Sequence, residues 1–156
     1  RMFRASDDYN RALRDLHQVF ALSLKPNPGL YLAAAKMMQS PQSDSTLDSA
    51  LDLIDKANHQ LGVTPQLQYY AIELELKKKD FSAAIERLLL LEPYEGQSPD
   101  WYVSMGDLFI QAGEYNDAHD YYQSAIDKIK TLRLTAQRKK LLLTVQKKLL
   151  LKDRAL

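Results

Sequence analysis

The sequence predicts an all-α protein: a repeating array of antiparallel helix hairpins followed by one long basic helix. Three observations predict it. Leu47-x-x-Ala50-x-x-x-Ile54-x-x-Ala57, Phe81-x-x-Ala84-x-x-x-Leu88-x-x-Leu91 and Tyr115-x-x-Ala118-x-x-x-Tyr122-x-x-Ala125 superimpose without a gap, so that Ala50, Ala84 and Ala118 are evenly spaced. A fourth copy, Tyr9-x-x-Ala12-x-x-x-Leu16-x-x-Val19, stands slightly more than one such period ahead of the first. A fixed period of a few tens of residues marks helical units that bury their apolar sides only by stacking on one another. Apolar residues recur at helical spacing along the chain, with no convincing strand alternation. The breaks between these segments are short, which makes successive helices antiparallel neighbours.

Each element has a local reason. Ser6-Asp7-Asp8 caps a first helix running to about Leu24, which Pro26-Asn27-Pro28 stops. A second helix covers about Leu30–Gln39, and the polar run Ser40-Pro41-Gln42-Ser43-Asp44-Ser45 reads as a loop. Extra residues in this loop account for the longer first interval. The third helix, about Thr46–Leu61, ends at Gly62, which suits a left-handed cap, and Pro65 opens a fourth to about Lys78. A fifth runs from Asp80 to about Leu91 and stops at Glu92-Pro93. Glu95-Gly96-Gln97-Ser98 is a turn, Pro99 begins a sixth helix to about Gln111, and Ala112-Gly113-Glu114 reverses the chain into a seventh from Tyr115 to about Lys130. The last helix spans about Leu132–Asp153.

Composition narrows the classes. The chain of 156 residues is 46% hydrophobic, enough for one domain with a sizeable core. No stretch approaches the roughly 20 apolar residues of a membrane span. Cys is absent, which excludes disulfides and thiolate metal sites. A chain that begins at Arg1 reads as a trimmed or processed product. Charge is divided unevenly. Residues 1–127 carry 11 Lys and Arg against 19 Asp and Glu, net −8, whereas residues 128–156 carry 10 against one, net +9. The simplest reading of this asymmetry is a basic helix docked beside an acidic body.

The segment Asp100-Trp101-Tyr102-Val103-Ser104-Met105-Gly106-Asp107-Leu108-Phe109, continued by Gly113-x-Tyr115-x-x-Ala118-x-x-x-Tyr122-x-x-Ala125, resembles the tetratricopeptide repeat (TPR). Gly106 and Ala118 let two helix backbones approach, and Tyr102, Phe109, Tyr115 and Tyr122 fill the space around them. The resemblance is strong over residues 100–127 and partial over the rest of 6–130. There Gly106 is replaced by Ile72 and Ala34, Phe109 by Glu75 and Met37, and Gly113 by Lys79. It implies a right-handed superhelical solenoid of about three and a half repeats, with residues 131–156 as a basic capping helix, in a single domain over 1–156. The first helix has the character of the second half of a repeat.

The resemblance also implies a site. In this family the first helix of each hairpin lines a concave groove that holds a protein or peptide. By register the groove takes Tyr31, Ala35 and Met38 from one repeat, Tyr69, Glu73 and Leu76 from the next, and Val103, Asp107 and Ile110 from the third. Tyr69, Glu73 and Asp107 are the strongest of these, because acids prefer water unless paired and Tyr offers a rigid contact surface with a polar end. The basic clamp by which chaperone-binding members hold acidic peptides is not assembled at these positions. The expected ligand is a segment with apolar side chains and basic groups.

The last helix is the second candidate surface. Leu134, Leu141, Leu142, Val145, Leu149 and Leu150 form a broad apolar stripe, and Arg138, Lys139, Lys140, Lys147, Lys148 and Lys152 occupy most of the remainder. Beside a cap, it offers self-association or contact with an anionic surface. No aromatic lies on it for base stacking, so nucleic acid is not an expected partner. Enzyme readings are poor. His17, His59 and His119 are scattered, Asp117, His119 and Asp120 do not converge on one helix face, and no HExxH, phosphate loop or G-x-S-x-G elbow occurs. Asp7-Asp8 suits a helix N-terminus, and Asp52 and Asp55 read as solvated. The expectation is a noncatalytic adaptor without cofactor or metal.

Overall fold

Backbone chemistry sets the helix ends. In the computed structural model, which describes residues 11, 14–15, 18–22, 27–39 and 43–153, helix α1 spans Pro28–Met37. It opens on an Asn27 side chain that accepts from the Leu30 amide at 3.0 Å, with Pro28 in the first turn where its missing N–H costs nothing. Helix α2, Asp44–Leu61, starts from a capping box in which Ser43 and Thr46 satisfy each other's backbone amides. Helix α3 is Pro65–Lys78 and α4 is Phe81–Leu89, the latter capped by Asp80, which accepts from the Ala83 amide at 3.0 Å. A single turn, α5 at Glu92–Glu95, follows with Pro93 in its first turn. Helix α6 is Pro99–Ala112, α7 is Tyr115–Thr131 and α8 is Ala136–Asp153. The described parts of the first expected helix, residues 11, 14–15 and 18–22, are helical. Its cap at Ser6-Asp7-Asp8, most of the Tyr9, Ala12 and Leu16 run, and residues 40–42 of the expected loop lie outside the described residues.

Two compact units divide the chain, residues 1–79 and residues 80–156. In the first, α1 packs on α2, α2 on α3, and α1 also reaches α3. Its core is Tyr31, Ala35, Leu47, Ala50, Leu51, Ile54, Ala57, Leu67, Ala71 and Leu74. Alanines at the crossing points let the helix axes close up while leucine and isoleucine fill the flanks. In the second unit, α4 packs on α6, α6 on α7, and α7 on α8. Gly106 lies against the Tyr122 ring so closely that a Cβ placed there would stand 2.5 Å from Cε1. The Trp101 indole donates to the Leu88 carbonyl at 3.0 Å, satisfying a buried oxygen in the last turn of α4.

Three differences from expectation have local causes. The last helix begins at Ala136 rather than Leu132, because Leu132 is extended (φ −101°, ψ 154°) and Thr135 caps the start by accepting from the Arg138 amide. The Glu92-Pro93 stop is itself a short helical turn. Gly62 takes positive φ (82°), but its ψ of 169° lies outside the left-handed helical basin.

Gly113 ends α6 in a left-handed cap (φ 81°, ψ 9°), where the Glu114 amide donates to the Phe109 carbonyl and its own amide to that of Ile110. Lys79, the equivalent position one repeat earlier, holds nearly the same conformation (φ 59°, ψ 26°) with a side chain attached. A non-glycine residue in this basin costs roughly 1–2 kcal/mol, partly offset by glycine's greater freedom when unfolded. Lys79→Gly is therefore expected to stabilise the protein by about 0.5–1 kcal/mol in urea denaturation. A loss of stability would contradict this reading of the cap.

Candidate functional site

The nine residues placed in a groove by register fall into different environments. On α1, Tyr31 is only 3% exposed. Its ring lies 4.6 Å from that of Phe20, and its hydroxyl donates to Gln60. Ala35 is fully buried in the same core, and Met38 is half-buried against it. On α3, Tyr69 is 40% exposed, Glu73 is exposed and Leu76 is half-buried. Their spacing of four and three residues puts all three on one stripe of the helix. Beside them, the Lys36 ammonium stands 5.6 Å from the ring centroid of Tyr70. Burial first, and then the negative charge of Glu73, pushes the Tyr70 phenol above its ordinary value of 10.0. The first unit thus carries an aromatic, a carboxylate and an aliphatic side chain in line on α3, with a cation nearby on α1.

On α6 the corresponding stripe is occupied from within the second unit. Val103 is 9% exposed and belongs to a core with Ala118, Tyr122, Ala125, Ile126 and Val145, against which Ile110, Leu141, Leu142 and Leu149 pack. Asp107 sits where three helices meet. Its Oδ1 accepts from the Tyr122 hydroxyl at 2.5 Å and from the Lys148 ammonium, which also lies 5.6 Å from the Tyr122 ring centroid. Burial, then the hydrogen bond to Asp107 and its charge, raises the Tyr122 phenol far above 10.0. Asp107 is therefore half-buried in an intrachain clasp that fastens α8 to α6 and α7.

A cleft of about 740 Å³ opens between the start of α6 and the first turns of α8, with Ser98, Asp100, Leu132, Arg138 and Lys140 in its lining. Asp100 lines it along with the two cations, and Arg138 donates to the Arg133 carbonyl, so the cleft does not present a single sign of charge. Among the described residues, no three His, Cys, Asp or Glu come together as a metal-ligand set. His59 and His119 are both exposed, the latter 3.5 Å from its neighbour Asp120, while His17 lies outside the described residues. No helix among the described residues is long and apolar enough to cross a membrane.

Sequence reasoning missed two features. Lys148 reads in the sequence as one of several surface cations, and its partner Asp107 is far away along the chain, beyond any local signal. Gln68 and Glu75 are buried on α3. A signal for them exists, since they stand one period before the aromatics Tyr102 and Phe109.

No family model matches the sequence, and no curated protein matches it. Solved structures of MamA, a TPR-like protein, do. One crystal structure aligns with a TM-score of 0.57 at 18% identity, covering 97% of this chain and 92% of that one. MamA from residue 41 to its end, from Desulfovibrio magneticus RS-1, aligns with a TM-score of 0.55 at 18% identity, covering 99% and 89%. The fold is a TPR-like helical repeat. At this identity the likeness extends to the fold alone.

The clasp makes a prediction with a definite sign. A phenol whose folded value is raised above 10.0 adds stability that is complete below pH 10 and is lost as pH rises toward the folded value. Asp107→Asn removes the charge that opposes the phenolate, so Tyr122 is expected to ionise at lower pH in a phenolate-absorbance titration. The Tyr122→Phe protein identifies its contribution. A titration identical to wild type would show that Asp107 does not set the Tyr122 proton affinity.

Proposed function

We propose that the chain is a noncatalytic protein- or peptide-binding scaffold, and that the exposed stripe of α3 is its principal contact surface. The observation that carries this reading is the alignment of Tyr69, Glu73 and Leu76 on one helix face, with the aromatic and the acid reaching solvent. A buried carboxylate would need a dedicated partner, whereas an exposed one beside an aromatic can meet an incoming cation. Tyr69 supplies rigid area at low entropic cost, of the kind enriched at recognition hot spots. The TPR-like fold supports the reading because repeat arrays present long surfaces of this type. The expected ligand is a segment with an apolar residue to lie on Tyr69 and Leu76 and a Lys or Arg to face Glu73.

Val103, Asp107 and Ile110 contribute less under this proposal, because α8 shares that surface through Leu141, Leu142, Leu149 and Lys148. In a peptide-display selection, the enriched sequences are expected to pair an apolar residue with a basic one. Tyr69→Ala/Glu73→Ala should weaken binding of those peptides at least about tenfold, since one lost hot spot exceeds about 1.4 kcal/mol. The helical circular dichroism should stay unchanged. Selected peptides that bind the double variant with undiminished affinity would remove α3 from the site.

A further inference from the structure

We propose that the outward face of α8 docks on an anionic lipid surface. One side of this helix is used internally: Val145 is fully buried, and Leu141, Leu142 and Leu149 pack beside it. The opposite side is not. Lys139, Leu143, Lys147 and Leu150 follow one another at spacings of four, four and three residues, a single exposed stripe, with Lys140 and Leu151 on its flank. Leu143, Leu150 and Leu151 are 60%, 63% and 65% exposed. Leucines this open, held on one rigid face and bracketed by lysines, form a surface suited to an interface rather than to bulk water.

Charge identifies the occupant. No Asp or Glu occurs from residue 128 to residue 152, so the one acid on the helix, Asp153, stands at its last position, beyond these cations. The cations on the outward stripe are all lysine, a point charge on a flexible stem, rather than the planar guanidinium that reads a fixed carboxylate bidentately. Lysine stems can lift their heads to phosphate oxygens while the leucines between them enter the boundary of the acyl chains. The stripe carries no Trp, Tyr or Arg of the kind that anchors a protein partner. The net −8 of residues 1–127 is repelled by the same surface, which confines the attraction to the basic end of the chain. This contact is separate from the peptide stripe on α3 and does not depend on it.

The test is flotation of the whole chain with vesicles of phosphatidylcholine, with and without phosphatidylserine. The protein is expected to float with the anionic vesicles and not with the neutral ones, and to be released at about 1 M salt, where screening reaches about 3 Å. Lys139→Gln/Lys140→Gln/Lys147→Gln should weaken partitioning on the order of a hundredfold, about fivefold per lysine. Leu143→Gln/Leu150→Gln/Leu151→Gln should weaken it as well. Both variants alter exposed side chains, so wild-type circular dichroism and melting are the folding controls. Tyr69→Ala/Glu73→Ala should float like wild type, which separates this surface from the peptide site. The proposal is overturned by equal partitioning onto neutral and anionic vesicles, by lysine variants that float unchanged, or by a chain that ignores vesicles while its lysines capture an acidic soluble protein.

Discussion

The close approach of helix backbones at small side chains is the constraint on which the rest of this structure depends. In the second unit Gly106 leaves room for the Tyr122 ring, and fully buried Ala118 and Ala125 sit on the same face of α7. In the first unit Ala34, Ala35, Ala50, Ala57 and Ala71 are fully buried. A small residue at a crossing shortens the distance between axes, and the larger residues on either side then interlock at interior density. The even spacing of Ala50, Ala84 and Ala118 is the sequence record of that requirement. Each helix pair must return a small side chain to the same place, and helix lengths and turns adjust to allow it.

That constraint also directs the polar groups. With Tyr122 held against Gly106, its hydroxyl reaches Asp107, and the paired acid and aromatic ring then receive Lys148 from α8. The basic helix is thus fastened by one of its cations and four of its apolar residues, while Lys139, Lys147, Leu143 and Leu150 stay outside. On α3, Glu73 remains exposed on the stripe with Tyr69. Two positions equivalent in register, Glu73 and Asp107, therefore differ in availability because of what packs over each.

Much of the fold was legible because its causes are local. Pro65 and Pro99 mark helix starts, Gly113 marks a helix end, and alternation between small and large residues marks the packed faces. Thr135 as the cap of α8 was legible too, but it was hidden by Leu132 and Leu134, which extend the apolar pattern of the helix ahead of it. The candidate site was legible in register and not in accessibility. Tyr31 and Tyr69 occupy equivalent positions, yet Phe20 closes over Tyr31 and leaves it 3% exposed against 40% for Tyr69. Periodicity reports which way a side chain points along its own helix. It carries no information about a covering residue or a cation supplied from a distant segment, and that is why Lys148 went unseen.

The most direct test of the close-approach constraint is a double-mutant cycle between Gly106 and Tyr122, read by urea denaturation. Gly106→Ala in the otherwise unchanged protein forces a methyl group into the tyrosine ring and should cost about 1–3 kcal/mol. In the Tyr122→Leu background the same change should cost nothing or gain up to about 1 kcal/mol, because alanine is the better helix former once the ring is gone. An equal cost in both backgrounds would contradict the account, since the glycine would then be required for some reason other than the contact between these two helices.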